Sequence, residues 1–203
     1  MTVLATAGHV DHGKSTLVNF LTNQETDRLA EEKNRGLTIN LGYTYFEYQK
    51  RAISIVDVPG HQDYFKNTIA GFSNVNGVLF CIDSVQGWSR QSEEHFKSIV
   101  NLGIRDILVI FTKTDLLEET LKKDGVIKKF SNIKDLNFQI AEFSSKTSNK
   151  EDFHKKINDF FKDIGPDEEG TVWIDRTFSI EGIGTVVTLS LIHISEPTRL
   201  PGI

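Results

Sequence analysis

Residues 8–15 read Gly-His-Val-Asp-His-Gly-Lys-Ser and fit the pattern G-x-x-x-x-G-K-[ST], which few folds can accommodate. An apolar run, residues 3–7, leads into it, and a helix-compatible run, residues 16–21, follows. Strand, tight loop and helix in that order turn the pattern into a mechanism. Gly8 and Gly13 let the backbone curl around a polyphosphate. The loop residues Val10, Asp11, His12, Gly13, Lys14, Ser15 and Thr16 then offer amides and a helix N-terminus to negative charge. Lys14 reaches for the outer phosphates, and the Ser15 hydroxyl takes one position on Mg²⁺. A glycine turn before any helix would look similar in isolation.

Four further segments argue against that bland reading. Arg35-Gly36-Leu37-Thr38-Ile39 lies in a charged stretch without periodicity, where Thr38 can close over a nucleotide with its hydroxyl on Mg²⁺. Asp57-Val58-Pro59-Gly60-His61 ends the apolar run 53–56. There Asp57 can hold Mg²⁺ through water, and Gly60 can turn its N–H toward the terminal phosphate. Thr112-Lys113-Thr114-Asp115 ends the run 107–111; Asp115 can accept two hydrogen bonds from a guanine edge while the Lys113 stem covers the ring. Ser144-Ser145-Lys146 ends the run 138–143, where a backbone N–H can meet the guanine carbonyl. Each alone is an ordinary strand-end turn. Five in this order are not.

On these spellings the chain resembles the translation-factor GTPases. G-H-V-D-H-G-K-S-T-L with R-G-x-T-I and D-x-P-G-H is the elongation-factor form, distinct from small signalling GTPases. Within that branch, residues 38–43, Thr-Ile-Asn-Leu-Gly-Tyr, resemble the selenocysteine-specific elongation factors, whereas elongation factor Tu continues toward a histidine. The gamma subunit of the initiator-tRNA factor shares the Leu-Gly-aromatic continuation but commonly carries a Cys-rich insert. Here only Gln49-Lys50-Arg51 separate Tyr48 from Ala52, and the chain has one cysteine. Residues 174–180 and 182–188 are similar to the start of the second domain of selenocysteine factors, so the resemblance spans residues 1 to about 188.

The resemblance implies an α/β fold: a P-loop GTPase domain with a mostly parallel central sheet, followed by the truncated start of a β-barrel. It implies GTP and GDP as ligands with Mg²⁺, held by Ser15, Thr38 and Asp57. His61 would orient the attacking water. The apolar pair Val10 and Ile39 would gate His61 from the nucleotide until a ribosome triggers hydrolysis, so that turnover is slow alone. It further implies charged tRNA as cargo, selenocysteinyl-tRNA above all, and an mRNA element as a partner through a C-terminal domain. The alternatives are another tRNA-carrying GTPase, like elongation factor Tu or the gamma initiation subunit, and a GTP-gated binding module without useful turnover. Thr112 departs from the asparagine commonest in GTPases, which ties this loop to the phosphate loop. That departure bears on affinity rather than on base choice.

Composition sets the outer bounds. The 203 residues make one full domain with little more, and 38% hydrophobic with 25% charged residues suits a globular chain. A net charge of −5 supplies no global basic field for nucleic acid, so any RNA contact is local. Cys81 sits in the apolar run 78–82 and reads as a packed, inert thiol. The first apolar run enters the phosphate loop at once, which reads as a strand rather than a signal peptide, and nothing approaches membrane-spanning length. The expected setting is a cytoplasmic monomer.

Strand-like and helix-like runs alternate, which builds a parallel sheet covered on both faces. Residues 42–48, 51–57 and 77–83 read as strands, and 64–72 and 91–102 as helices, the latter stopped by Gly103. Residues 122–129 read as a solvated helix, and Asn149 as the cap of a last helix striped by Phe153, Ile157, Phe160 and Phe161. The expected organisation is a GTP-binding domain over 1–165, a linker at 166–171 and a barrel start at 172–188. From Leu189 the family pattern stops. Residues 189–203 resemble a translated sequencing-library adapter and are expected to carry no evolved function.

Overall fold

The computed structural model describes residues 2–24, 38–116, 123–164, 173–180 and 184–190. Of the expected features, the stretch 25–37 with Arg35, Gly36 and Leu37, the linker at 166–171, and residues 191–203 lie outside these. The chain divides into two units, residues 1–166 and 167–203.

Among its described residues the first unit holds six strands, β1 (Thr2–Ala7), β2 (Gly42–Tyr48), β3 (Arg51–Asp57), β4 (Gly77–Asp83), β5 (Asp106–Thr112) and β6 (Asn137–Glu142). The described helices that accompany them are α1 (Lys14–Thr22), α2 (Phe65–Phe72), α3 (Arg90–Asn101), α4 (Lys123–Ser131) and α5 (Lys150–Phe161). The sheet order is β2-β3-β1-β4-β5-β6, parallel throughout except for the β2–β3 hairpin. The central strands β1 and β4 are buried along their whole length, as expected of parallel strands covered on both faces. The edge strand β2 alternates instead: Thr44 and Phe46 point inward, and Tyr43 and Tyr45 are exposed.

Alternation sorts the core into two layers. Val3, Ala5, Ala7, Phe80, Ile82, Val109 and Phe111 face Phe72 of α2, Phe96 and Ile99 of α3, and Val126 and Phe130 of α4. Leu4, Ile55, Leu79, Leu108 and Ile110 face Leu17, Val18 and Leu21 of α1 and the stripe Phe153, Ile157, Phe160 and Phe161 of α5. The α5 stripe is core, and Asn149 caps that helix by accepting from the Asp152 amide at 3.2 Å. Ser89 caps α3 in the same way through Ser92. The α3 helix ends at Asn101, and Gly103, at φ 82°, turns the chain away. Arg51, at the start of β3, donates to the Thr2 hydroxyl at 2.6 Å and to the Phe161 carbonyl at 2.7 Å, tying the hairpin to the C-terminal end of α5.

Residues 91–102 were expected as one helix and 64–72 as another. The first begins a residue early at Arg90, and the second opens as a 3-10 turn over Gln62–Tyr64 before α2. The second unit is an antiparallel pair, β7 (Trp173–Ile180) and β8 (Gly184–Ser190), with a register shift between Ile174 and Arg176. The ladder runs two residues beyond Thr188, through Ile174↔Leu189 and Trp173↔Ser190, because backbone pairing needs only an extended chain.

Candidate functional site

Parallel strands end on one side, and the strand order reverses around β1, so the loops after β1, β3, β4, β5 and β6 meet in a crevice there. The loop after β1 bends sharply at Gly8, φ 125°, where a Cβ would collide with the Cys81 carbonyl on β4. Only glycine lets the loop lie so close to the neighbouring strand. The loop curls around a cavity of about 460 Å³ lined by Val10, Asp11, Gly13, Lys14, Ser15, Thr16, Asn19, Thr38, Gly60 and Lys113. That is a small-ligand volume. Lys14 is buried and donates to the His9 carbonyl at 2.8 Å. Gly60 abuts both: a Cβ there would strike the Lys14 ammonium and come within 2.6 Å of the Val10 amide nitrogen.

The Ser15 and Thr38 hydroxyls lie 3.0 Å apart, so residues separated by a long charged stretch are brought to one point. Asp57 is fully buried and accepts from the Thr6 hydroxyl at 2.8 Å, whose oxygen in turn accepts from the Val58 amide at 3.1 Å. The Thr68 hydroxyl holds the Pro59 carbonyl at 2.8 Å and fixes the turn that carries Gly60. The two hydroxyls at the cavity are hard oxygen donors and fit Mg²⁺, while Asp57, the third expected ligand, is not among the residues that line the cavity. Among the described residues there is no group of three or more His, Cys, Asp or Glu that could hold a metal ion by itself.

At the other end, Thr112 ends β5 with Lys113 and Asp115 just after it, while Ser144, Ser145 and Lys146 follow β6. The Lys146 ammonium pairs with the Asp115 carboxylate at 3.2 Å. The Ser144 hydroxyl above all, with Lys146 adding to it, holds the Asp115 carboxyl below its ordinary value, against desolvation, which ranks between the two. Thr112 is buried, and its hydroxyl donates to the His12 carbonyl at 2.9 Å. The tie between this loop and the phosphate loop, expected to be lost with the asparagine, is made by threonine. Lys113, at φ 54°, pairs with Asp83 at 2.6 Å.

Beneath the phosphate loop lies a layer that sequence reasoning missed. The Gly8 amide donates to His95 Nδ1 at 3.1 Å, the Val10 amide reaches Gln91 Oε1 at 3.4 Å, and His9 also hydrogen-bonds Gln91. Gln91 and His95 share a face of α3. Their signal was faint: position 95 falls on the buried stripe with Ser92, Phe96 and Ile99, where a histidine breaks the apolar pattern. Burial pushes His95 down to about 3, aided by the charges of Lys14 and His9. Burial, then His9, lowers His12 to about 4, with Asp83 opposing and Lys14 adding a smaller push. Both rings are neutral at pH 7. Burial likewise pushes the Cys81 thiol up to about 12, so it is a packed, inert group.

His61 does not line the cavity. It caps the 3-10 turn, its Nδ1 accepting from the Asp63 amide at 3.2 Å, with its ring against Tyr64. Of the expected gate, Val10 lines the cavity, and the Ile39 carbonyl accepts from Asn67 of α2 at 3.0 Å. Among the described residues no helix is long and apolar enough to cross a membrane.

Residues 1–166 match the model of the elongation factor Tu GTP-binding domain. A selenocysteine-specific elongation factor from Desulfomicrobium baculatum is 36% identical over 194 residues, covering 92% of this chain and 31% of the relative. One from Escherichia coli is 32% identical, again over 92% of the chain and 31% of the relative. The crystal structure of a bacterial selenocysteine-specific elongation factor superposes with a TM-score of 0.76 at 34% identity, covering 92% of this chain and 34% of that one. That of elongation factor SelB from Methanococcus maripaludis with the GTP analogue GppNHp gives 0.69 at 29%, covering 93% and 41%. The chain thus spans about a third of the length of the curated relatives it matches.

Proposed function

We propose, for a chain that belongs to the elongation factor Tu GTP-binding domain family, that it is the GTPase part of a translation elongation factor that delivers selenocysteinyl-tRNA to the ribosome. The observation that carries the nucleotide reading is the meeting of Lys14, Ser15, Thr38 and Gly60 on one cavity, with Lys113 at its edge. The selenocysteine reading draws on the relatives' names and on Leu41-Gly42-Tyr43.

In this reading the loop amides from Val10 to Thr16 and the α1 N-terminus bind the phosphates, and Lys14 leaves the His9 carbonyl for their outer oxygens. Mg²⁺ would be held by Ser15 and Thr38 and, through water, by Asp57, and when bound would neutralise charge on the phosphate oxygens. Asp115 accepts two hydrogen bonds from guanine, Ser145 and its neighbours meet the carbonyl edge, and the Lys113 stem covers the ring. Thr112 keeps this loop in register with the phosphate loop. His61 orients the attacking water. Its imidazole must first leave the Asp63 amide and pass Val10 and Ile39, which makes unassisted hydrolysis slow. Thr38 and Gly60 read the terminal phosphate, and their release after hydrolysis changes the surface offered to tRNA. The remaining partners in this reading are the ribosome and, through further domains, an mRNA element.

The test is base exchange. Asp115→Asn should weaken GDP by roughly 10⁴-fold and favour xanthosine diphosphate, whose edge offers the complementary acceptor. Equal affinity of the parent chain for ADP and GDP overturns the reading. For the cargo, GTP-dependent protection of selenocysteinyl-tRNA against deacylation, in a protein with the full length of its relatives, is the deciding measurement. Equal protection of seryl-tRNA overturns the selenocysteine assignment.

A further inference from the structure

Asp83, the last residue of β4, does not line the cavity and no role in nucleotide binding has been given to it, yet its carboxylate is fully engaged. It is 1% exposed. Oδ1 accepts from the amides of Val85 at 2.7 Å and Gln86 at 3.1 Å, which fixes the carboxylate plane against the turn that follows β4. Oδ2 is left facing β5, where Asp83 is the register partner of Thr112, and there it takes the Lys113 ammonium at 2.6 Å. Ser84 extends the same clasp by donating its amide to the Thr112 carbonyl at 2.9 Å.

We propose that Asp83 is a positioning residue for guanine recognition, anchoring the Lys113 ammonium so that the lysine's methylene stem is presented to the base. This rests on the guanine-nucleotide reading of the site. The logic is steric and entropic. Lys113 lines the cavity, and its backbone sits at φ 54°, so its side chain leaves the loop in a direction ordinary turns do not give. A lysine there with a free ammonium would sample many rotamers, and binding a base would have to order it. With Nζ held by a buried carboxylate, itself locked by two amides, the stem is ordered before the base arrives, and the charge is directed away from the ring face. Burial alone would raise the Asp83 carboxyl, but the Lys113 bond and the two amides outweigh it and hold it below its ordinary value, so the anchor is ionised at neutral pH.

The experiment is a double-mutant cycle on the whole 203-residue chain, reading the GDP dissociation constant and off-rate for the parent, Asp83→Asn, Lys113→Met and the double variant. Asn retains the acceptor for Val85 and Gln86 but not the charge; Met retains the stem but not the ammonium. Asp83→Asn should weaken GDP about fivefold to tenfold, mainly through a faster off-rate, and should have no further effect once Lys113 is Met. Should Asp83→Asn fail to fold by thermal melting, Asp83→Ser, whose hydroxyl still accepts from the Val85 amide, takes its place in the cycle. The same loss in both backgrounds would mean that Asp83 merely supports the end of β4, and no loss in the parent would mean that Lys113 needs no anchor; either overturns the proposal while leaving the site a guanine site. A parent chain that does not prefer GDP to ADP overturns both readings.

Discussion

Acid should unfold this domain earlier than its carboxylates alone would dictate. The cause is the neutral histidine layer under the phosphate loop. His95 faces the Gly8 amide, His9, Lys14 and the rings of Phe65 and Phe72; His12 faces His9, Lys14 and Asp83. Both lie far below 6.5 in the folded state, at about 3 and about 4. Between those values and 6.5 the unfolded chain binds more protons than the folded one, so stability is complete above about pH 6.5 and falls as the pH falls. At about pH 5 each unfolded imidazole has gained about 1.5 pH units of protonation, or about 2 kcal/mol, giving about 4 kcal/mol for the pair. His154, lowered by burial, adds in the same sense. Asp83, Glu93 and Asp115, held below ordinary carboxylate values, withdraw their contributions only at lower pH. Domains of this kind have about 5–15 kcal/mol in total, so the loss is a large share. Urea unfolding without nucleotide reads it as a midpoint lower by about 2 M at about pH 5 than at about pH 7.5. His95→Asn, which can still accept from Gly8 but cannot titrate, should remove about half of the pH effect. A midpoint that does not move between the two pH values refutes the reasoning.

Three further outcomes follow from the geometry. Thr112→Val keeps the shape but removes the donor to the His12 carbonyl, so GDP affinity should fall by about fivefold to tenfold, read by calorimetry, and Thr112→Asn should fall less. Gly60→Ala drives a methyl into the Lys14 ammonium and the Val10 backbone; the lysine tip can move but the backbone cannot, so nucleotide binding should weaken by at least about tenfold. The Cys81 thiol should react with a disulfide reagent only after urea unfolding; labelling of the native chain would contradict its burial and its raised pKa.

The frame of the G domain was legible because its signals were strong and local. Residues 42–48, 51–57 and 77–83 are the strands the pattern gives, since a run of apolar residues between turn formers has few other uses. The phosphate loop and the segments after β3, β5 and β6 fall at strand ends, where the pattern puts them and where open sheets of this kind take ligands. What stayed hidden were contacts between segments distant in sequence. Thr112 read as a weakened tie because its type was judged without knowing that the His12 carbonyl lay within reach of a hydroxyl. Asp83 carries no motif of its own, and only the fold sets it against Lys113. Gln91 looks like an ordinary polar helix residue, and His95 like a break in an apolar stripe, unless the loop above them is known. Residues 122–129 read as a solvated helix, and the helix Lys123–Ser131 is mostly that, but Val126 and Phe130 seat it on the core.

The position of β1 dictates the order in which this domain can fold as it is synthesised. The strand made first lies mid-sheet, between β3 and β4, and its Leu4 face is closed by α1 and α5. A nascent chain that has emerged as far as β3 can pair only one edge of β1. The other edge waits for β4, and the layer around Leu4, Leu79 and Leu108 stays open to water until Phe153, Ile157 and Phe161 arrive. Arg51 then seals the hairpin to the Phe161 carbonyl, across 110 residues of chain. Loop closures of that length come late, and the half-made sheet exposes both apolar surface and strand edges in the meantime. Commitment to the native state therefore comes with α5, and a chain released before that helix has emerged is left with a core that water can enter.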